Sequence, residues 1–244
     1  MRRVCTVLAR AGSVGVPGKN VRLLGGVPLI VHSIRHAKET GLFDVIVVST
    51  DDPEVRRIAE DEGVDVIVSR PPEMATSTAG KLPAIRHAVA EAEQAIDGQF
   101  DIVVDIQPTS PLRLPEDILA AVTLLESQDV DVNVVTGCKS HKSPYFDLVE
   151  VGTESFVRLV AHVPHALLRR QDAPATFDLN GAVYVWWRQR LETVESVITE
   201  YTLLHAMPPD RSVDIDTEMD FALAEVLYER RLSGADDVSR GGES

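Results

Sequence analysis

Short apolar runs alternate with longer amphipathic stretches through the first half of the chain, and that rhythm restricts the fold more than any other feature. Val4–Ala9, Val45–Ser49, Val66–Val68 and Ile102–Ile106 are apolar, rich in β-branched residues and bounded by turn residues. Between them, Leu29–Glu39, Pro53–Glu62 and Lys81–Ile96 have helical patterns, and Glu116–Glu126 follows as another. Strands spaced by helices form βαβ units, which pair their strands in parallel. The expected fold class is therefore α/β, a mostly parallel sheet with helices on both faces. Val130–Val135 is expected as a fifth strand.

After Cys138 the rhythm changes. "YFDLVEVGTESFVRLV" alternates in character and turns at Gly152-Thr153, which predicts an antiparallel hairpin. Residues from about 140 to 175 are expected to leave the sheet as an inserted arm, a candidate dimer element. Ala182–Trp187 and Thr202–Ala206 return to strand pattern, and Glu218–Arg231 reads as a closing helix. The expectation is one domain over residues 1–232, followed by a polar, disordered tail at 233–244.

A net charge of −14 excludes the broad basic face that a nucleic-acid backbone requires. No apolar run is long enough to span a membrane. Cys5 and Cys138 have neither metal nor redox spacing, so a reducing, cytoplasmic setting is expected. None of this disfavours a small phosphorylated ligand, which a few local cations can hold.

The first apolar run feeds into "RAGSVGVPGKN", a loop with Gly12, Gly15 and Gly18 and with Arg10 and Lys19 near its ends. Glycines allow backbone N–H groups close to an anion, and cations add charged donors. The loop leaves the carboxyl end of a first strand, where open α/β sheets place ligands. Two familiar phosphate loops do not fit. A Walker loop needs glycine where Ser13 stands and Ser or Thr where Asn20 stands, and the even three-residue spacing of the glycines breaks G-x-G-x-x-G.

With its neighbours, this loop resembles that of the acylneuraminate cytidylyltransferases, the CMP-sialic acid synthetases. Their opening pattern, R-x-G-S-K-G-[IVL]-P-x-K-N, is matched by Arg10, Gly12, Ser13, Gly15, Val16, Pro17, Lys19 and Asn20, with Val14 where lysine is usual. "VVSTDD" at 47–52, "SRPPEMATSTAG" at 69–80, "QPTSPLR" at 107–113 and "HKSPYF" at 141–146 are similar to later family segments. So are "RRQDAPATFDLNGAVYV" at 169–185 and "RSVDIDTEMDF" at 211–221. The ordered matches cover about residues 3–232. CMP-Kdo synthetases usually have Q-G-D-E-P in place of Gln107-Pro108-Thr109-Ser110-Pro111, and the G-x-G-[ST]-R loop of sugar-1-phosphate nucleotidyltransferases is absent.

The resemblance implies a Rossmann-like nucleotidyltransferase. Such an enzyme joins CTP to a nonulosonic, nine-carbon acidic sugar, giving the CMP-sugar and pyrophosphate. It implies Arg10, Gly12, Ser13, Gly15 and Lys19 around the triphosphate, with Asn20 and Arg70 at the base and ribose. Arg70 as a solvated loop cation is the alternative. Gln107, Asn180 and Tyr184 are implied at the sugar, with Tyr184 as a packed core residue the alternative. Arg170 is placed at the sugar carboxylate, and Arg169 competes for that role. Asp214 and Asp216, two apart on an extended backbone, leave the same face and suit Mg²⁺ or Mn²⁺; Asp216 or Thr217 as a cap of the following helix is the alternative. Asp51 and Asp52 are expected to cap the helix beginning near Pro53, with a role as ligands the alternative. His32, His36 and His87 are expected to be structural, and His141 and His165 to belong to the arm. A homodimer through the arm is implied. Two rival readings are a relative using GTP or another acidic sugar, and a nucleotide-binding protein whose Val14 marks lost catalysis.

Overall fold

A computed structural model describes residues 1–12, 15–76, 79–162 and 169–234. Along the chain the strands are β1 (Arg3–Ala9), β2 (Leu23–Leu24), β3 (Val27–Pro28), β4 (Val45–Thr50), β5 (Val66–Ser69), β6 (Ile102–Ile106), β7 (Asn133–Lys139), β8 (Val149–Val151), β9 (Val157–Leu159), β10 (Phe177–Trp187) and β11 (Thr202–Ala206). The helices are α1 (Leu29–Glu39), α2 (Pro53–Asp61), α3 (Lys81–Ala95), α4 (Pro115–Glu126), α5 (Arg188–Thr193) and α6 (Glu218–Leu232). Seven strands form the main sheet in the order β11-β7-β10-β6-β1-β4-β5. Every neighbouring pair is parallel except the two made by β10, which runs antiparallel to both β6 and β7.

Alternation along the strands divides the core between the faces of the sheet. Cys5 and Val7 of β1 join Ile46, Val48, Val104 and Ile106 on one face, covered by α1, α2 and α4. Val4, Val47 and Val103 face the other way and meet Leu82, Ile85 and Val89 of α3. A third cluster ties Val16 of the first loop and Leu29 of α1 to Ile215 and to Phe221 of α6. Burial on both faces is why the first four sheet strands read as nearly unbroken apolar runs.

Several boundaries differ from the sequence expectation. The fifth strand in sequence runs over Asn133–Lys139 rather than Val130–Val135, and Val130 is exposed. Its extension passes Gly137, where an added Cβ would stand 2.6 Å from the Asp178 carbonyl oxygen of β10. β10 begins at Phe177 instead of Ala182, and its register with β7 breaks between Leu179 and Tyr184. The arm contains the expected hairpin, β8 paired antiparallel with β9, but its connection is a 3₁₀ turn at Thr153–Ser155, longer than a turn at Gly152-Thr153 alone. β2, β3 and α5 were not expected; each is too short to carry a periodic pattern. His165 and residues 235–244 of the expected tail lie outside the described residues.

Asp52 caps α2, accepting from Glu54 N at 2.8 Å and Val55 N at 3.4 Å with Pro53 opening the helix. Asp51 does something else: its Oδ1 accepts the Ala11 amide at 2.9 Å and so anchors the start of the glycine loop. His32 is structural, with Nε2 at 3.0 Å from the Leu24 carbonyl and the ring edge-on to Tyr228. Replacing Asp52 with Ala is expected to lower folding stability by about 1 kcal/mol, the usual cost of a lost cap, with turnover retained. Chemical denaturation beside a steady-state assay checks both parts; lost turnover in the folded variant would show that Asp52 does more than cap.

Candidate functional site

The parallel strands β1, β4, β5 and β6 end on one edge of the sheet, delivering Arg10, Asp51, Arg70 and Gln107 to it. A cavity of about 390 Å³ opens there, lined among others by Arg10, Lys19, Asn20, Arg70, Gln107 and Asp216. A wider hollow of about 950 Å³ lies at the opposite edge of the sheet, near Phe100, Asp131 and Arg188. Its arginines are already neutralised, Arg188 by Glu93 and Glu192 and Arg190 by Asp131. The smaller cavity is the one that collects the glycine loop.

That loop is held from several sides. The Asn20 amide nitrogen donates to the Arg10 carbonyl at 3.1 Å, closing the loop across its base. Gly18 has φ +63°, a conformation that side chains with a Cβ seldom adopt. Lys19 Nζ donates to the Ile215 carbonyl at 2.6 Å and to Asp216 Oδ1 at 3.0 Å. At Gly15 an added Cβ would stand 2.0 Å from the Asp216 carbonyl oxygen, so backbone meets backbone there. Arg10 reaches the Ala75 carbonyl at 3.5 Å, and Gly12 is exposed beside its guanidinium. Ser13 and Val14 lie outside the described residues, as does Ser77 of the second loop.

The other predicted residues divide by how much of their bonding capacity is already used. Arg70 lines the cavity but is buried, donating to the Ser49 carbonyl at 3.0 Å and the Ser49 hydroxyl at 3.4 Å; burial lowers its pKa. The Gln107 backbone carbonyl accepts from Ser33 Oγ and from Arg113 Nη1, and its Oε1 accepts from the Thr109 hydroxyl at 3.2 Å. Arg113 is wholly buried and also grips the Ser110 carbonyl at 2.7 Å, so it shapes the whole Gln107–Arg113 turn from beneath. Asn180 is buried with its amide committed internally: Oδ1 accepts from Thr136 Oγ1 and Ala182 N, and Nδ2 donates to Ser212 Oγ. Gly181, at φ +64°, brings β10 against Gln107 and Asp214, each 3.4 Å or less from where its Cβ would be. Arg170 is exposed and paired with Asp147 at 2.6 Å inside the arm, while Arg169 pairs with Asp172. Neither arginine lines the cavity.

Asp214 and Asp216 differ sharply. The Asp216 side chain is largely exposed and engaged by Lys19. Asp214 is mostly buried, and its Oδ1 has no hydrogen-bond partner among the described residues. Burial raises its pKa, opposed by a hydrogen bond from Thr109 and by the charges of Lys19 and Lys81; the nearby Asp216 charge raises it further. A buried carboxylate oxygen left unpaired is costly unless a cation meets it. The donor set therefore fits a hard divalent ion. No group of three or more His, Cys, Asp or Glu that could hold a metal exists among the described residues, so phosphate and water would complete the shell, as magnesium prefers. Capping of α6 falls to Thr217 and Asp220, which make a reciprocal box, and this frees Asp216 from that duty.

Lys81 and Asp105 were not singled out in the sequence. Lys81 is the first residue of α3 and lines the cavity, and its ammonium lies 3.2 Å from Asp105 Oδ2 and 3.7 Å from the centroid of the Tyr184 ring. Asp105 was detectable as a lone carboxylate inside the apolar run "IVVDI"; a buried strand tolerates one only with a partner. Tyr184 stacks on Trp186 with ring centroids 5.8 Å apart, and burial together with the charges of Asp105 and Asp214 pushes its phenol up to about 12.

Residues 4–238 match the family model described as Cytidylyltransferase. A curated relative named "Post-translational flagellin modification protein B", from Campylobacter coli, is 34% identical over 96% of this chain and 98% of its own length. "CMP-N,N'-diacetyllegionaminic acid synthase" of Campylobacter jejuni is 33% identical over 92% of this chain and 94% of its own. An "N-acylneuraminate cytidylyltransferase" of Streptococcus agalactiae is 33% identical over 91% of this chain, which spans about half, 52%, of that relative. Among solved structures, CMP:2-keto-3-deoxy-manno-octonic acid synthetase complexed with CTP superposes with a TM-score of 0.68 at 18% identity, covering 95% of this chain and 100% of the other; at that identity the likeness establishes the fold.

Gly15→Ala is expected to cost about a hundredfold or more in turnover, because the methyl group would have to push the loop off the Asp216 backbone and misplace Lys19. Melting temperature should fall as well, because the displaced loop carries Val16, buried in a cluster with Ile215 and Phe221. Kinetics and thermal melting of the variant check this; wild-type kcat would mean the close approach is not needed for the reaction.

Proposed function

Since this chain belongs to the cytidylyltransferase family, we propose that it joins CTP to an acidic nine-carbon sugar of the sialic or legionaminic type, giving a CMP-sugar and pyrophosphate. The observation that carries the reading is the convergence of Arg10, Lys19, Asn20 and Arg70 on one cavity beside the unpaired carboxylate of Asp214. The family match over residues 4–238 supports cytidylyl transfer. The names of the Campylobacter jejuni and Streptococcus agalactiae relatives support the sugar class.

In this reaction the anomeric hydroxyl oxygen forms a bond to the α-phosphorus as the bond to the bridging oxygen breaks. Pyrophosphate leaves, and the hydroxyl proton passes to solvent or a nearby base. Such a displacement asks the protein for in-line placement and charge neutralisation more than for covalent chemistry. Arg10 and Lys19 neutralise the triphosphate, with the loop amides around Gly12 and Gly15 as further donors. Asn20 and Arg70 face the base and ribose. Gln107 and Tyr184 face the sugar; Asn180, with its amide spoken for, shapes that wall by fixing Gly181 and Ala182. Arg170 meets the sugar carboxylate only if the arm approaches a cavity, either its own or that of a second copy. Asp214 and Asp216 are the residues that would hold Mg²⁺ or Mn²⁺, whose contribution when bound is to neutralise phosphate charge and lower the pKa of a coordinated oxygen.

The arm supports a homodimer. Val151, Phe156 and Val157 of the β8–β9 hairpin are exposed and apolar, a surface that a second copy would cover. No helix among the described residues is long and apolar enough to cross a membrane; a cytoplasmic setting is part of the proposed reading.

The defining experiment measures pyrophosphate release with each of the four NTPs against a panel of sialic, legionaminic and pseudaminic acids. CTP with one of these acids should turn over; preferential use of GTP would overturn the nucleotide assignment, and binding without turnover would favour a non-catalytic protein. Chelation should abolish turnover, and Mg²⁺ or Mn²⁺ should restore it. Asp214→Ala and Asp216→Ala should each do the same irreversibly in folded protein. Lys19→Met should reduce kcat/KM by about a hundredfold, since one charge-assisted contact to phosphate is worth roughly 1.5–3 kcal/mol and Lys19 also secures Asp216. Val14→Lys, which supplies the lysine usual in related loops, should raise kcat/KM for CTP.

A further inference from the structure

The side chains on the α3 face of the sheet change character one row below the cavity. Val4 pairs in register with Val103, and Val103 with Trp186, giving an apolar row across β1, β6 and β10. Two residues further along, Thr6 pairs with Asp105 and Asp105 with Tyr184, giving a polar row. Leu8 and Gln107 follow and line the cavity. A strand advances roughly 6–7 Å over two residues, so the polar row lies immediately beneath the cavity floor.

Asp105 in this row has no access to solvent. Its Oδ1 accepts from the Thr6 hydroxyl at 2.9 Å, and its Oδ2 faces the Lys81 ammonium at 3.2 Å. The Lys81 nitrogen is itself shut off from water, although a quarter of the side chain remains exposed as part of the cavity wall. A pair buried this way gains little net stability, since desolvating both charges offsets their attraction. Two apolar residues would fill the position at similar or lower free energy. What the pair does achieve is placement. The ammonium sits 3.7 Å from the centroid of the Tyr184 ring, which also stacks nearly parallel to Trp186, 8° between planes. The ring is thereby fixed between a cation and an indole. Tyr184 as a residue is half-buried.

We propose that Lys81 and Asp105 are a positioning pair: Asp105 anchors the ammonium, and the ammonium clamps the Tyr184 ring so that its hydroxyl is presented in one place to the acidic sugar. The clamp stands on the contacts above; its link to the sugar rests on the sugar-nucleotide reading. In this role Lys81 acts through Tyr184.

The test uses the full chain with Lys81→Met, Asp105→Leu and the two combined, read by melting temperature, near-ultraviolet circular dichroism and separate KM values for sugar and CTP. Each single variant should melt lower, because it strands a buried charge, and the double variant should recover most of that loss. In the double variant the near-ultraviolet signal of the Tyr184–Trp186 pair should still differ from the parent. KM for the sugar should stay about tenfold raised, with KM for CTP within about twofold. Recovery of the sugar KM together with the melting temperature would make the pair merely structural and overturn the proposal, as would an unchanged near-ultraviolet signal or an equal rise in both KM values. If the double variant fails to fold, Tyr184→Phe decides. It keeps the ring under the ammonium and loses only the hydroxyl, so it should raise the sugar KM by about the same factor; an unchanged value overturns the proposal. A parent chain without turnover would sink the proposed reaction alone, and the near-ultraviolet comparison would still judge the clamp.

Discussion

The contact on which the site depends joins residues nearly two hundred positions apart. Lys19 holds the Ile215 carbonyl and the Asp216 carboxylate, while Gly15 lies against the same stretch of backbone. Beneath this polar clasp, Val16 and Ile215 share a buried cluster with Phe221 of α6. The glycine loop has little regular structure of its own, and its conformation is set by what it is pressed against. The same clasp reaches the residue next to Asp214, because the amide of Ile215 donates to the Thr109 carbonyl at 2.8 Å. Loop, closing segment and Gln107–Arg113 turn are therefore one mechanical unit, and none has its functional shape without the others.

Two buried arginines support that unit from below. Arg113 is completely enclosed, its guanidinium spent on the Gln107 and Ser110 carbonyls and on Ser33. Arg70 is spent on Ser49. These arginines act as rigid fasteners with a planar set of donors, which is what arginine offers over lysine in a buried setting. Lys19 is held as firmly, by the Ile215 carbonyl and Asp216, while Arg10 has only a 3.5 Å contact to the Ala75 carbonyl.

The sequence revealed the architecture well because its signals were local. Four apolar runs and their intervening helices, and the hairpin of the arm, follow from periodicity alone. Family resemblance then located the loop, the Gln107 turn and the paired aspartates, all of which meet or flank a single cavity. Properties created by partners distant in the chain were hidden. Pro53 at the first helical position marks Asp52 as the cap of α2, but nothing local shows that Asp51 anchors Ala11. Nothing local indicates that the Asn180 amide is consumed by Thr136 and Ser212, or that Arg170 faces Asp147. Lys81 looked like an ordinary helix-opening residue, and only the strand register that puts Asp105 beside Tyr184 gives it a place.

The antiparallel strand has a consequence for how the molecule comes into being. β10 is inserted between β6 and β7, although seventy residues separate it from β6 in the chain. While the protein is being synthesised, β5, β4, β1 and β6 can assemble early from local βαβ units, but β6 then presents a bare edge of backbone donors and acceptors. That edge stays open until Trp187 has left the ribosome and the arm has folded out of the way. Long loop closures are slow, and unpaired edges invite pairing with other chains. The nascent protein is therefore most vulnerable to aggregation just before β10 pairs with β6, and yield in a heterologous host should be governed by synthesis rate and chaperone supply more than by the stability of the finished fold.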